Sequence, residues 1–406
     1  MKSDEGLAWL IRQLWPDGSG VGVVCSTSRI DVADAVECYA VVPGLHRAKF
    51  LVPLASRRAA WASVARYNAL RPRRLRLARS GLGAAMLSGA GERLVRARLT
   101  VSSRAPSEDV LLSEHLRLQL GAPDIAMGIG LHPPDPNAKP TVQLFGHDGR
   151  PLGFAKVGWN AATRNLVENE ARVLRSLGGT AIPNVHVPAL LYAGSWNDRS
   201  IAVAAPLPLG VRRHGDPDRL PPLAVNASLA TAGGVHVQAL RTSAYWHGVR
   251  RQADALGRDG GHAKLAAAVA GYVSALEKTW GDEEMCFGTW HGDWVPWNMA
   301  WQADTLHVWD WEHSDDGVPL GFDPLHWLFQ VALVLRHRPL TDAVSAAAAG
   351  QDRLPDLGVP PASTRGVVSL YLLEMFLRTY RLMRDGSGWN PALYPAMIDV
   401  LRHRTP

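Results

Sequence analysis

His291-Gly292-Asp293-Trp294-Val295-Pro296-Trp297-Asn298, continued by Trp309-Asp310-Trp311-Glu312, is the stretch on which the reading of this chain turns. Asp293 and Asn298 are five positions apart, and Asp310 follows Asn298 after twelve more. Between them, Met299-Ala300-Trp301 and Leu306-His307-Val308-Trp309 read as two short apolar strands, joined by the turn-like Gln302-Ala303-Asp304-Thr305. A hairpin centred on Asp304 is expected to set Asn298 opposite Asp310 at its open end. An amide oxygen and a carboxylate converging in this way suit Mg²⁺, which takes hard oxygen ligands and only a few of them from protein when phosphate oxygens supply the rest. Asp293, just ahead of the hairpin, is then placed to meet a hydroxyl group. Such a set points to phosphoryl transfer.

The pattern HGD, four residues, N, then an apolar strand and D-W-E, resembles the catalytic and metal-binding loops of the aminoglycoside phosphotransferase and choline kinase family, which shares the protein-kinase-like fold. The resemblance implies an α+β, bilobal fold with a small β-rich N-lobe and a large helical C-lobe. It implies that Asp293 is the catalytic base, that His291 props the catalytic loop, and that Asn298 and Asp310 bind Mg²⁺. ATP is the implied second cofactor and a hydroxyl-bearing small molecule the implied acceptor.

Outward from that stretch the composition is ordinary. The chain has 406 residues, 47% hydrophobic and 20% charged, enough for a sizeable core and for two or three domains. Cys25, Cys38 and Cys286 are far apart and show no CxxC spacing, so neither a disulfide framework nor a zinc site is expected. No stretch has the roughly 20 apolar residues of a membrane span, and Met1-Lys2-Ser3-Asp4-Glu5 lacks the layout of a signal peptide. A cytoplasmic protein without a membrane partner is the expectation. The formal charge of +6 could suggest nucleic acid, yet the one dense basic patch, Arg71-Pro72-Arg73-Arg74-Leu75-Arg76, comes with no nucleic-acid motif and reads as a solvated face.

Residues 1–105 read as an extra N-terminal α/β module of unassigned role. Val36 to Val42, Ala48 to Val52 and Leu94 to Val101 are its expected strands, and Ala55 to Leu70 its expected helix, stopped by Pro72. A peptide or protein partner could dock through it. Residues 106–209 read as a nucleotide-binding lobe. Asp124 to Gly130, Thr141 to Phe145 and Gly153 to Val157 are short strands, with Leu131-His132-Pro133-Pro134-Asp135-Pro136-Asn137 as the loop between the first two. Gly128 and Gly130 could let backbone approach phosphates, although the full GxGxxG is absent.

Lys156 carries a stronger signal. It sits on the third of these strands, and the helix expected from Ala162 to Leu177 follows, ended by Gly178-Gly179. At about 100° per residue, Glu170 falls inside the stripe formed by Leu166, Val167, Val173, Leu174 and Leu177, whereas Glu168 falls on the polar side. A carboxylate on a buried face needs a cationic partner, and Lys156 is the natural one. The pair resembles the strand lysine and helix glutamate of the family, in which the lysine also steers nucleotide phosphates. Tyr192 to Gly194 and Ser200 to Ala205 are the last expected strands. Ala205 and Leu207, in Pro206-Leu207-Pro208-Leu209-Gly210, mark the hinge expected to meet adenine.

Residues 210–406 read as the helical lobe, with helices over about Val235 to Leu256, His262 to Trp280, Pro324 to Arg336 and Arg365 to Arg384. Asp323 reads equally as an N-cap and as the Asp that in the family helps hold this lobe together. Trp294, Trp297 and Glu312 are candidate acceptor-site residues, although tryptophans beside such a loop are more often core; the run Asp310, Glu312, Asp315, Asp316 reads first as a solvated acidic loop and otherwise suits a cationic acceptor such as an amino sugar or amine. Two rival functions share the pattern: transfer to a Ser or Thr hydroxyl of a peptide or protein, and an idle nucleotide-binding scaffold. The complete set Lys156, Glu170, Asp293, Asn298 and Asp310 argues against the scaffold.

Overall fold

A computed structural model describes residues 2–404 apart from 17, 19, 29, 30, 132–134 and 136. The chain forms two compact units, one of Met1–Arg175 with Pro188–Arg213 and one of Ser176–Val187 with His214–Pro406. The architecture is α+β, with the first unit built on a sheet and the second mainly helical.

The sheet of the first unit has nine strands, in the spatial order Val21–Ser26, Arg98–Ser103, Ala35–Val42, Phe50–Pro53, Ala126–Gly130, Thr141–Phe145, Pro151–Gly158, Arg199–Ala204 and Leu190–Trp196. The boundary expected near residue 105 does not divide it. Phe50–Pro53 pairs antiparallel with Ala126–Gly130, with Phe50 opposite Gly130 and Leu51 opposite Ile129. Leu10, Tyr39, Leu99, Leu116, Val142 and Ile201 share one core. The N-terminal strands and those after residue 105 therefore form one sheet, because apolar faces on both sides of residue 105 are buried by the same packing.

Local chemistry sets the ends of the elements. The helix expected to reach Leu70 stops at Ala65, where Arg66 turns extended and Tyr67 takes a φ of 55° before a short 3₁₀ turn over Asn68–Leu70. Ser56 caps its start by accepting from the Ala59 N–H at 3.0 Å. The strand expected from Leu94 begins only at Arg98, since Gly91–Leu94 is a helical turn. Part of the loop from Leu131 to Asn137, namely His132, Pro133, Pro134 and Pro136, lies outside the described residues.

In the second unit, the helix expected from Val235 to Leu256 is a strand, His236–Ala239, and a helix, Ala244–Arg258, separated by a 3₁₀ turn. The strand pairs with Glu284–Trp290, and Ser243 caps the helix by accepting from the Trp246 N–H at 3.0 Å. Ala263–Trp280, Phe322–Gln330, Leu340–Ala349 and Thr364–Leu382 complete the helical framework. Thr364–Leu382 is buried on all sides over most of its length, so it is the central pillar of this unit rather than a helix with one solvated face. No described helix is long and apolar enough to cross a membrane.

Candidate active site

The loop His291–Asn298 leaves the Glu284–Trp290 strand and enters the hairpin Met299–Gln302 and Thr305–Val308. Met299 pairs with Val308 and Gln302 with Thr305, so the turn is the two residues Ala303 and Asp304. The register is thus one residue short of the one expected from sequence. Asn298 faces Trp309, whose N–H donates to the Asn298 carbonyl at 3.1 Å, and Asp310 lies one residue further on. Because side chains alternate along a strand, a slip of one would turn Asp310 the other way. The backbone compensates, since Asp310 is left-handed with φ 74° and ψ 56°, a conformation that Asp tolerates better than most residues. A carboxylate oxygen of Asp310 and one of Glu312 lie within 4.8 Å of each other.

The loop is held at nearly every peptide. Gly292 has a φ of 81°, and a Cβ there would run into the His313 carbonyl, so no other residue fits without a shift. Asp323, buried in the first turn of the Phe322–Gln330 helix, accepts from the His291 N–H at 2.8 Å and the Gly292 N–H at 3.1 Å. Asp323 is therefore not the N-cap, a position held by Gly321; it is a latch between helix and loop. Arg378, from the central helix, donates Nη1–H to the Gly292 carbonyl at 2.8 Å and stacks over Trp290 with its guanidinium carbon 4.8 Å from the ring centre.

His291 is fully buried. Its Nε2 faces the Trp309 carbonyl at 3.1 Å, and its Nδ1 accepts from the Asp293 N–H at 3.2 Å. A nitrogen facing a carbonyl must carry the proton and one facing an N–H must not, so the ring is the neutral Nε2–H tautomer. Burial pushes its pKa down to about 4, which keeps it neutral. His291 thus holds the loop's shape, packed edge-on against Trp311 at 4.5 Å and Trp294 at 6.0 Å.

Asp293 is 24% exposed and both its carboxylate oxygens are engaged. Oδ2 accepts from Asn298 Nδ2 at 2.7 Å, and Oδ1 lies 3.1 Å from Nε2 of His326. Burial raises the Asp293 pKa, but the His326 contact outweighs it and holds the carboxyl below its ordinary range. Asn298 also donates Nδ2–H to the Asp293 carbonyl at 3.2 Å. With its amide nitrogen committed to Asp293, its Oδ1 is the atom left for a cation. That oxygen and the Asp310 carboxylate are the hard donors a magnesium ion takes from protein, so the residues present fit the metal in kind.

In the first unit, Lys156 Nζ and Glu170 Oε2 are 2.6 Å apart, with the side chains 16% and 6% exposed. Lys156 sits on Pro151–Gly158 between Thr141 and Ala202, and Glu170 comes from the helix Ala161–Leu177. Glu168 instead accepts from the Ser200 hydroxyl at 2.6 Å. Gly128 has a different reason for being glycine than the one read from sequence: a Cβ there would sit 2.9 Å from Cβ of Ser63, so it is small to admit the Arg57–Ala65 helix. Gly130 pairs with Phe50 at the end of its strand. In the expected hinge the Ala205 N–H donates to the Ala189 carbonyl at 2.8 Å, and the Leu207 carbonyl accepts from Tyr67 Oη at 2.7 Å.

Two of the aromatic candidates part company. Trp294 is 1% exposed and is core, which removes it from any acceptor pocket, whereas Trp297 is half-buried. Glu312 is also half-buried, with Oε1 3.7 Å from His313, and Asp316 accepts from the Thr289 hydroxyl at 2.7 Å. His326, Tyr371 and Arg378 were not read as site residues from sequence. For His326 a signal existed: it lies three residues after Asp323, so both project from one face of a helix. For Tyr371 and Arg378 no local signal marks them within a long apolar helix.

No family model matches the chain, and no curated protein matches it in sequence. Among solved structures it is similar to a thermostable mutant of an aminoglycoside phosphotransferase in ternary complex with ADP and hygromycin B, at 14% identity over 72% of this chain and 97% of that one, with a TM-score of 0.46. It is similar to a protein assigned as a fructosamine-3-kinase from Haemophilus somnus 129PT, at 14% identity over 72% and 97%, with a TM-score of 0.43. It is also similar to an aminoglycoside phosphotransferase solved with gentamicin, at 11% identity over 72% and 95%, with a TM-score of 0.42.

Proposed function

We propose that this protein is an ATP-dependent phosphotransferase that moves the γ-phosphoryl group to a hydroxyl of a small molecule. The observation that carries the reading is the Asp293 carboxylate, kept anionic and partly exposed on a loop clamped by Asp323, Arg378 and His291. A carboxylate that only closed a turn would not require a second helix, a buried histidine and an amide to fix both of its oxygens.

Phosphoryl transfer passes through a loose transition state, so positioning and charge neutralisation do most of the work and a weak base suffices. Asp293 orients the acceptor hydroxyl and takes its proton late. Lys156, oriented by Glu170, grips the nucleotide phosphates. Asn298 Oδ1 and Asp310 would hold Mg²⁺, whose part is to neutralise charge on those phosphates. The acidic residues Glu312, Asp315 and Asp316 favour a cationic acceptor such as an amino sugar or amine.

The test is turnover of ATP with Mg²⁺ against a panel of amino sugars, sugars, amines and aminoglycosides, with Asp293→Ala as control. Phosphorylated product from one class, lost in the variant, supports the reading. Product that persists undiminished in purified Asp293→Ala overturns it.

A further inference from the structure

The Asp293 carboxylate is not fixed by its own loop alone. His326, from the Phe322–Gln330 helix, is 0% exposed and reaches Asp293 Oδ1 with Nε2 at 3.1 Å. On its other side, Nδ1 lies 3.1 Å from Oη of Tyr371 on the central helix. A carboxylate only accepts, so Nε2 must carry a proton. Burial favours the neutral ring, which leaves Nδ1 bare and makes the Tyr371 hydroxyl its donor. Burial also pushes the Tyr371 hydroxyl well above its ordinary pKa, so that proton stays on oxygen. Hydrogen bonds therefore run in one direction, from Tyr371 to His326 to Asp293.

We infer that His326 is a positioning residue for the transfer step: Tyr371 locks its tautomer, and its Nε2–H pins the plane of the Asp293 carboxylate so that one lone pair faces the acceptor hydroxyl. This rests on the reading of Asp293 as the base. The bland alternative is a satisfied core histidine that packs against Trp290 and Tyr371. Two facts favour the sharper role. The two donors on Asp293, His326 on Oδ1 and Asn298 on Oδ2, come from different elements, so together they remove rotation of the carboxylate about its bond to Cβ. And without the Tyr371 donor the ring could place its proton on Nδ1 and turn a lone pair toward the carboxylate, which repels. Arg378, a buried cation near Asp293, gives its Nη1–H to the Gly292 carbonyl and leaves His326 as the side-chain donor to Oδ1.

The experiment uses the full chain and MgATP hydrolysis, with water standing in for the acceptor hydroxyl, and compares His326→Leu, His326→Gln, Tyr371→Phe and Asp293→Asn. Thermal midpoint and MgATP affinity are measured alongside. Misplacing a reacting group by about 1 Å costs on the order of 10²-fold, so His326→Leu should lose about 100-fold in kcat with KM for ATP within about 3-fold. His326→Gln, which can still present an N–H to Asp293, should recover most of that loss, and Tyr371→Phe should fall between. A folded His326→Leu that binds MgATP normally and turns over at the parent rate overturns the inference, as does a folded His326→Gln no better than His326→Leu. If Asp293→Asn keeps its turnover, the base reading itself has failed. If Asp293→Asn is inactive while His326→Leu is active, only the role of His326 has.

Discussion

Gly292 and His291 show how narrowly the loop of residues 291–298 is specified. A left-handed φ and a Cβ that would meet the His313 carbonyl both exclude a side chain at 292. Gly292→Ala should cost about 1–3 kcal/mol of stability and, by shifting the peptide before Asp293, reduce transfer more than tenfold; a thermal melt and a rate measurement check both. The buried titrating pair nearby has a pH signature. His291 has a folded pKa of about 4, below its unfolded 6.5, so its contribution is present above pH 6.5 and is lost as pH falls toward 4. His307, pushed down to about 4 as well, acts in the same direction. Asp323, raised by burial from 3.8 to about 6, acts oppositely: its contribution is present at low pH and lost as pH rises through 6. Between pH 4 and 6 Asp323 offsets part of the loss from the two histidines. Asp323→Asn should therefore show a steeper fall in melting temperature on acidification than the parent, whatever its absolute stability. Parallel melting curves for the two proteins over that range would refute this account.

The Lys156 strand and the Glu170 helix form a pair whose structural and chemical parts can be separated. Lys156→Met leaves a nearly buried carboxylate without its cation, a change that costs roughly 3–5 kcal/mol. Replacing both partners, Lys156→Met with Glu170→Leu, should restore most of that stability because an apolar pair fills the same space. If Lys156 grips nucleotide phosphates, the double variant stays inactive and binds ATP weakly despite a recovered melting point. A double variant with parent-like ATP affinity would confine the pair to a structural role. The hairpin of residues 299–308 carries a related lesson. Its two strands were legible from their apolar runs, yet their register was not, because a two-residue turn and a three-residue turn leave nearly the same pattern. The left-handed Asp310 then re-aims the side chain that the register would have misdirected.

The nine-stranded sheet ties the first 105 residues into the same core as the strands that follow them. Removing residues 1–105 should expose the Ala126–Gly130 edge and the apolar face beneath it, so the truncated chain should aggregate or lose its cooperative melt. A truncation that remains monomeric and melts cooperatively would show that the extension is dispensable. The loop and hairpin of residues 291–310 and the Lys156–Glu170 pair were legible in the chain, because their signals are local: HGD with Asn five residues on, Asp310 after an apolar hairpin, a lysine on a strand, and a glutamate inside the stripe of the next helix. Hydrophobic periodicity and residue spacing act over a few turns and need no knowledge of the fold. Tertiary packing alone decided the rest. His326 meets Asp293 across 33 positions and Arg378 reaches Gly292 across 86, while Phe50–Pro53 finds Ala126–Gly130 across four intervening α-helices and a strand. Such contacts leave no periodic trace, because each depends on where whole helices and strands come to rest against one another.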